Sequence, residues 1–277
     1  MMQRYPNVHY ICIANYNIML EQVATIVRQA AGYMVTDGFR IEQKDGAANI
    51  VTSSDYAVQH YLCKELAKLI PGSGFICEEE DYLDPDKELV WIIDPIDGTC
   101  NYARGIDDCC ISVALKKGGD IILGTVFCPS RNEMYCAKLG KGAFLNGKPI
   151  HVSDRPFENA LFITALGVYV KQCAEYSNSI IMEVYPQVND IRRFGSAALD
   201  LCYIAAGRCE IMFEVRLCPW DYAAGMLILT EAGGCVSGLK GKPMTFDRPE
   251  PIIAANCRKS HSRLLETVDR HIASIPY

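Results

Sequence analysis

Residues 91–99 read Trp-Ile-Ile-Asp-Pro-Ile-Asp-Gly-Thr, an apolar run that changes abruptly into two carboxylates and a Gly-Thr pair. The apolar part, residues 89–93, predicts a short strand buried on both faces, because it shows no polar alternation. We expect this strand to stop at Asp94-Pro95. The segment thus predicts a buried strand that carries a carboxylate at its end.

The residues after this strand have the composition of a metal and phosphate site. Asp97 follows Asp94 by three positions, and proline stiffens the link between them. Gly98 and Thr99 then open a predicted helical turn over residues 99–103. Two carboxylates suit a hard divalent cation, and the free N–H groups of a helix start suit a phosphate. A bare pair of aspartates would more often be a strand-to-turn corner with solvated acids, but the full segment favours the site.

The spacing of the two aspartates also bears on the chemistry. In phosphatases of the haloacid dehalogenase type the corresponding pair is separated by one residue, and the first aspartate becomes phosphorylated. Here two residues, Pro95 and Ile96, intervene. This spacing favours a water activated by bound metal over an aspartyl-phosphate intermediate.

Helices and strands alternate along the rest of the chain. Helices are predicted at residues 17–34, 55–70, 170–184, 196–206, 219–232 and 260–272, and strands at 75–77, 111–115, 121–127, 133–137, 161–165, 209–215 and 252–254. Ser53, Ser54 or Asp55 is expected to cap the second helix, and Asn146-Gly147 to form a turn. This alternation predicts a layered α/β architecture, with a soft boundary near residues 151–159.

Bulk composition limits the class of protein. The chain has 277 residues, of which 50% are hydrophobic and 22% charged, as in a soluble globular protein. The net charge of −6 disfavours nucleic acid as a main partner. We find no apolar run of membrane-spanning length and no signal segment, so we expect no membrane partner and a cytoplasmic location.

The chain contains 14 cysteines, but they are scattered and form no C-x-x-C pair. A structural zinc site or a disulfide framework is therefore disfavoured. Most lie in apolar stretches, as Cys77, Cys128, Cys202 and Cys235 do. We expect them to be small, reduced core residues.

Three further segments carry candidate polar groups. The acidic run at residues 78–81 follows a short apolar run, so Glu78 would emerge from a strand end as Asp94 does; a solvated surface is the alternative. Asp221 lies in the first turn of a predicted helix, where it could equally be a capping residue. Lys44 lies in a Gly-containing loop that could approach a phosphate or cover the metals, or could simply be exposed.

Together these segments resemble the inositol monophosphatase family. The family signature D-P-[IL]-D-G-T-x-N-[FY] appears at residues 94–102, and W-D-x-A-[AG]-G at 220–225. The segment K…V-T-x-x-D appears at 44–55 and G-E-E, with Cys in place of Gly, at 77–79. The order of the motifs matches too, and the resemblance covers nearly the whole chain.

This resemblance implies a role for each matching residue. One Mg²⁺ would be held by Glu78, Asp94 and the carbonyl of Ile96. A second would be held by Asp94, Asp97 and Asp221. Thr99, oriented by Asp55, would activate the attacking water together with Glu78. The remaining matches are substrate contacts: Gly98, Thr99, Gly195, Ala197, Glu214 and Asp221.

The resemblance also implies a fold, a cofactor and partners. It implies a layered α-β-α-β-α sandwich of the sugar phosphatase type, a single domain with an N-terminal lobe (about 1–155) and a C-terminal lobe (about 156–277). It further implies two or three Mg²⁺ ions, with Mn²⁺ as a substitute, lithium sensitivity and a homodimer. The expected substrate is inositol monophosphate or a similar sugar or polyol phosphate.

Several functions stay open at this point. The same fold serves fructose-1,6-bisphosphatases, histidinol-phosphate phosphatases and phosphoadenosine-phosphate phosphatases. Cys100-Asn101-Tyr102 points away from the last of these, and Glu214 favours a hydroxyl-rich substrate because a carboxylate accepts hydrogen bonds. A non-catalytic regulator that kept the fold is less favoured, because the expected metal ligands are all present.

Overall fold

A computed structural model describes residues 13–35, 37–44, 49–79, 84–167 and 170–272. Its helices are α1 (Ile13–Ala30), α2 (Ser53–Leu69), α3 (Thr99–Tyr102), α4 (Ala174–Val184), α5 (Ala197–Ala205), α6 (Pro219–Glu231) and α7 (Arg258–His271). The helices and turns predicted from the sequence are therefore confirmed, with ends that differ by a few residues. Short 3₁₀ turns extend the end of α1 and precede α4, where longer α-helices were expected.

The strands form two large sheets and a small hairpin. Strands β1 (Ile41–Gln43) and β2 (Ile50–Thr52) pair with each other. The larger sheet runs in chain order: β3 (Gly74–Cys77), β4 (Leu89–Asp97), β5 (Cys110–Lys117), β6 (Asp120–Cys128), β7 (Glu133–Lys138), β8 (Ala143–Leu145) and β9 (Lys148–Ile150). Only its β3–β4 pair is parallel. The smaller sheet contains β10 (Leu161–Thr164), β11 (Asp190–Arg192), β12 (Ile211–Leu217), β13 (Cys235–Ser237) and β14 (Glu250–Ala255), in the order β11-β10-β12-β14-β13.

Alternate residues of β4 show how the layers are built. Trp91 and Ile93 face one way and pack with Val27 of α1 and Leu62 of α2. Val90 and Ile92 belong to a different core, which also contains residues of α5 and α6. A strand that is buried on both faces must be apolar throughout, which explains the unbroken apolar run in the sequence.

A third core completes the sandwich. The smaller sheet turns residues such as Met212 and Ala254 towards α5 and α6, and residues such as Phe213 and Ile253 towards α4 and α7. The order of layers is therefore helices, sheet, helices, sheet, helices. The α-β-α-β-α sandwich expected from the resemblance is confirmed.

Small residues allow the central layer to pack tightly. A methyl group on Gly124 of β6 would lie 2.8 Å from the carbonyl oxygen of Ala224 in α6. One on Gly225 would lie 2.9 Å from the side chain of Leu201 in α5. The backbones of β6, α5 and α6 thus approach one another at a distance that only glycine permits.

Two local expectations are wrong. The strand that was expected to stop at Asp94 continues to Asp97, because the sheet tolerates proline at an irregularity. Helix α2 is capped by Thr52, one residue earlier than expected, and Asp55 completes its capping box. Thr52 has extended backbone, and its hydroxyl oxygen accepts a hydrogen bond from the N–H of Ser54, as an N-cap residue does.

The cysteines whose side chains are described form no disulfide with one another. Cys77, Cys128 and Cys202 are buried as expected, whereas Cys235 is only partly buried. Within the described ranges, no helix has the length and apolar character needed to cross a membrane. The division into two lobes stays a prediction.

Candidate metal and phosphate site

An irregularity in β4 brings Asp94 and Asp97 to the same site. Asp94 pairs with Ser112 of β5 and Asp97 with Cys110, so two residues of β4 lie opposite one residue of β5. In a regular strand, residues three apart point to opposite faces. The extra residue of this bulge reverses the alternation and turns the second carboxylate to the side of the first.

Asp94 has the surroundings of a cation ligand. Its side chain is 1% exposed, and its Oδ1 atom has no hydrogen-bond partner among the described residues. Burial raises the pKa of Asp94 well above its usual range, and the carboxylates of Glu78, Asp97 and Asp221 raise it further. A buried carboxylate oxygen without a partner is costly. A bound cation would remove that cost, so the residues present fit a metal ion.

Asp97 is held by the start of α5. Its Oδ2 atom accepts hydrogen bonds from the hydroxyl of Ser196 and from the N–H of Ala198, both at 2.7 Å. Burial raises the pKa of Asp97 to about 6, although these hydrogen bonds oppose the rise. One oxygen of this carboxylate is therefore committed to the protein.

Asp221 caps a helix and also lies near the other carboxylates. It is the third residue of α6, and its Oδ2 atom accepts a hydrogen bond from the N–H of Cys218 at 2.7 Å, which completes a capping box. Burial raises its pKa well above the usual range, and the nearby Asp97 and Glu78 add to the rise. The helix cap thus fixes a carboxylate that also belongs to the cluster.

Glu78 and Lys44 meet at the edge of the cluster. Glu78 follows β3, and burial raises its pKa to about 7. The ammonium group of Lys44 lies 3.4 Å from Oε1 of Glu78 and forms a closer ion pair with Glu79. Burial disfavours this ammonium ion, but both glutamates outweigh the effect and raise the pKa of Lys44. The segments beside it, residues 45–48 and Glu80 with Asp81, lie outside the described residues.

Asp55 and Thr99 form a second polar link. Oδ2 of Asp55 accepts hydrogen bonds from the N–H and hydroxyl of Thr52, at 2.8 and 2.5 Å. Its Oδ1 lies 3.4 Å from the hydroxyl oxygen of Thr99, which is also 2.9 Å from the carbonyl oxygen of Ile96. The structure therefore places Thr99 beside Asp55, the pair that the resemblance linked, and their catalytic roles stay a prediction.

The start of α3 lies beside the loop that precedes α5. Gly98 has a φ of +88°, and a methyl group there would lie 2.8 Å from the carbonyl oxygen of Asp108. Gly195 has a φ of +93°, and a methyl group there would lie 3.1 Å from the amide nitrogen of Asn101. Both positions require glycine. The first backbone hydrogen bonds of α3 run from the N–H groups of Asn101 and Tyr102 to the carbonyl oxygen of Gly98, so the N–H groups of Gly98 and Thr99 precede them.

Glu214 lies on β12 and is 8% exposed. Burial raises its pKa to about 8, and Arg193 opposes the rise. The charge of Glu214 raises the pKa of Asp221, and the charge of Asp97 raises the pKa of Glu214. Glu214 therefore lies near the carboxylate cluster. Ala197 is the first residue of α5, and its N–H, like that of Ala198, interacts with Asp97 and lowers the pKa of that carboxyl.

Among the described residues, no three carboxylate, thiol or imidazole groups converge closely enough to form a finished ion cage. Like charges repel at short range, and one oxygen each of Asp97 and Asp221 is turned to a helix start. A cation between the carboxylates would replace this repulsion by attraction. The arrangement can thus concentrate positive ions beside the start of α3.

Some residues that shape the site were not singled out from the sequence. Thr52 fixes Asp55, and Ser196 fixes Asp97. The side-chain amide of Gln59 in α2 accepts a hydrogen bond from the N–H of Glu79 at 3.1 Å and donates one to its carbonyl oxygen. A hydroxyl residue just before a helix signals a cap, but nothing local indicates a distant carboxylate as its partner.

The five layers, with carboxylates gathered beside a glycine-opened helix start, define an α/β sandwich of the sugar phosphatase type. The chain belongs to the inositol monophosphatase family, whose model matches residues 8–273. The family resemblance inferred from the motifs is therefore confirmed.

Several relatives and solved structures are similar to this chain. The Nus factor SuhB of Escherichia coli strain K12 is 37% identical over 214 residues, 76% of this chain and 80% of that protein. The fructose-1,6-bisphosphatase/inositol-1-monophosphatase of Thermotoga maritima is 38% identical over 205 residues, 73% of this chain and 76% of that protein. The structure of an IMPase from Thermotoga maritima covers 92% of this chain and 98% of its own, with 32% identity and a TM-score of 0.83.

Proposed function

We propose that this protein is a Mg²⁺-dependent phosphomonoesterase that hydrolyses inositol monophosphate or a similar sugar or polyol phosphate through a metal-activated water. The observation that carries this proposal is the buried Oδ1 atom of Asp94, which has no partner among the described residues and is surrounded by three other carboxylates. Such a group needs a cation nearby.

The proposed ligands are taken from three parts of the chain. Glu78, Asp94 and the Ile96 carbonyl would hold one ion, and Asp94, Asp97 and Asp221 a second; Mn²⁺ would substitute, and Glu78 would also face a third, weaker ion. Bound ions of this kind lower the pKa of water and neutralise phosphoryl charge. Asp97 and Asp221 are each fixed through one oxygen, which leaves the other oxygen for a cation.

Thr99 and Asp55 would orient the attacking water. The Thr99 hydroxyl has a choice of two acceptors, Oδ1 of Asp55 and the Ile96 carbonyl oxygen. When that carbonyl is engaged elsewhere, the hydroxyl hydrogen turns to Asp55, and the Thr99 oxygen would accept a proton from water as its own proton passes to the Asp55 carboxylate. Glu78, with a pKa raised to about 7, would share this role as a general base.

The substrate would lie between the two helix starts. The N–H groups of Gly98 and Thr99 would bind the phosphate at the start of α3. Gly195 and Ala197, on the facing segment, would contact the hydroxyl-bearing part together with Glu214 and Asp221. A polyol fits these groups because hydroxyls both donate and accept hydrogen bonds.

Phosphate release is the test of this proposal. We would measure it with Mg²⁺ for inositol monophosphate, fructose 1,6-bisphosphate, histidinol phosphate and phosphoadenosine phosphate. Turnover that EDTA abolishes and Mg²⁺ restores would support the metal mechanism, and the highest kcat/KM would identify the substrate class. If a folded protein released no phosphate from any of them with Mg²⁺ or Mn²⁺, the proposal would be wrong.

A second candidate function follows from one comparison. The E. coli relative is named a Nus factor, which is not the name of an enzyme. A non-catalytic, ligand-binding regulator of the same fold is therefore the alternative, and the absence of a nucleic-acid partner stays a prediction. Retention of the carboxylate cluster favours the enzyme. Binding of Mg²⁺ and phosphate without turnover would favour the regulator.

Other properties are proposed on the family resemblance alone. They are inhibition by lithium, a homodimer, a cytoplasmic location and the cover of the metals by the loop that carries Lys44. Each has a direct measurement: phosphate release with added lithium, light scattering, cell fractionation and the activity of Lys44→Met.

A further inference from the structure

We propose that Ser196 is a positioning residue for Asp97, and that its hydroxyl sets the orientation in which this carboxylate binds Mg²⁺. The inference rests on the proposed function, because it requires Asp97 to be a metal ligand. Ser196 is 1% exposed, and its hydroxyl lies 2.7 Å from Oδ2 of Asp97, a residue 99 positions earlier in the chain.

Ser196 and Ala198 both donate hydrogen bonds to the same carboxylate oxygen of Asp97. Oδ2 accepts from Ser196 and from the N–H of Ala198, both at 2.7 Å, and the thiol of Cys110 lies 3.9 Å away. These donors occupy the lone pairs of one oxygen and oppose rotation of the carboxylate. The other oxygen is left for a cation. Partners that orient a metal ligand in this way contribute strongly to metal affinity.

Ser196 is itself held in place. It is the N-cap of α5, and its hydroxyl oxygen accepts a hydrogen bond from the N–H of Leu199 at 3.4 Å. A serine hydroxyl has one hydrogen to donate. Because its oxygen accepts from the helix, that hydrogen is directed to Asp97. The start of α5 therefore determines where the hydroxyl points.

The segment before Ser196 is anchored to the metal-binding turn as well. The amide of Asn101 donates hydrogen bonds to the carbonyl oxygens of Phe194 and Asp108, both at 2.7 Å. The segment that carries Gly195 and Ala197 is thus tied to α3 by Asn101 and to Asp97 by Ser196. Loss of the hydroxyl would leave Asp97 held at this end by the N–H of Ala198, with one constraint fewer on the rotation of its carboxylate.

Ser196→Ala and Ser196→Gly, titrated with Mg²⁺ by isothermal calorimetry, separate positioning from capping. Glycine caps helices almost as well as serine, whereas alanine does not. Both variants should bind Mg²⁺ about tenfold to a hundredfold more weakly, as losses of such orienting partners usually do. Ser196→Thr should restore the affinity. The variants should also need more Mg²⁺ for half-maximal activity and regain most of kcat at saturating Mg²⁺.

Cys257→Ala is the matched control. Cys257 caps α7, where its sulfur accepts a hydrogen bond from the N–H of Ser260 at 3.5 Å, and α7 carries none of the proposed site residues. This variant should unfold at a lower temperature than the wild type and bind Mg²⁺ with the same affinity.

Mg²⁺ affinity of Ser196→Gly equal to that of the wild type would overturn the inference, as would an equal loss in Cys257→Ala. The proposed function fails by a different result, namely no phosphate release by the wild type. Asp97→Asn tests the shared premise, because it must weaken Mg²⁺ binding if Asp97 is a ligand.

Discussion

The hydroxyl oxygen of Thr99 lies 3.4 Å from Oδ1 of Asp55, a residue 44 positions earlier in the chain. The other oxygen of Asp55 is fixed by Thr52 within the capping box of α2. The cap of α2 thus orients the Asp55 carboxylate towards Thr99, which lies outside that helix. Asp97 and Asp221 follow the same plan, since one oxygen of each accepts a hydrogen bond at a helix start.

Thr99→Val should impair turnover much more than substrate binding. Valine keeps the shape of threonine but cannot accept a proton from water or donate to Asp55. We expect kcat to fall about a hundredfold or more, the usual range for a proton-transfer group, with KM nearly unchanged. Steady-state phosphate release measures both constants. Thr99→Ser, which keeps the hydroxyl, should retain most of kcat, and equal losses in both variants would contradict the role.

Asp94→Asn should abolish activity without unfolding the protein. It removes one charge from a buried group whose pKa is raised by burial and by three neighbouring carboxylates. We expect kcat/KM to fall roughly a thousandfold, the equivalent of about 4 kcal/mol of transition-state stabilisation. In EDTA, the thermal midpoint should equal or exceed that of the wild type, because repulsion is relieved. A large drop in the EDTA midpoint would argue against the cluster as described.

Glu214 should make the free energy of unfolding decrease as the pH rises. Burial raises its pKa from 4.5 to about 8. A group with a raised folded pKa stabilises the fold fully below its unfolded pKa, and this contribution is lost as the pH rises through about 8. Glu214→Gln lacks this titrating group. Its free energy of unfolding should rise relative to that of the wild type as the pH increases from 5 to 8, by up to roughly 4 kcal/mol.

Urea unfolding of both proteins in EDTA, at several pH values, measures this difference. Curves of unfolding free energy that stay parallel from pH 5 to 8 would show that Glu214 is not protonated in the fold. Asp190→Asn, on a surface carboxylate that pairs with Arg192, is the control and should change little, as surface ion pairs do.

Gly124→Ala should destabilise the protein through a backbone clash. The added methyl group would lie 2.8 Å from the carbonyl oxygen and 3.1 Å from the Cα atom of Ala224. Helix α6 would have to move away from β6, at a cost of about 1–3 kcal/mol in unfolding free energy. Since α6 carries Asp221, we also expect weaker Mg²⁺ binding. Chemical denaturation and calorimetry measure the two effects.

Gly119→Ala is the comparison for this substitution. Gly119 lies in the turn between β5 and β6, where an added methyl group meets nothing within 4 Å. This variant should unfold with nearly the wild-type free energy. If the two substitutions had the same effect, close packing of β6 against α6 would not be the cause.

Much of the site could be predicted from short motifs because local sequence carries its chemistry. The run from Trp91 to Thr99 holds a strand, two carboxylates and a helix start within nine positions. The carboxylate of Asp221 could be assigned to a helix start in the same way. What the local pattern did not provide was the end of β4, because pairing with β5, and not proline alone, determines where that strand stops.

The amino-acid sequence by itself determined the alternation of helices and strands, the apolar faces of the layers and the positions of the candidate ligands, because these depend on periodicity and on residue chemistry over short stretches. Only the tertiary structure decided which side chains meet. The bulge that turns Asp97 towards Asp94, the Ser196 hydroxyl that holds Asp97 and the Gln59 amide that holds Glu79 all join distant segments. Their geometry arises when the layers pack, since packing brings distant segments together so that most buried polar groups find partners.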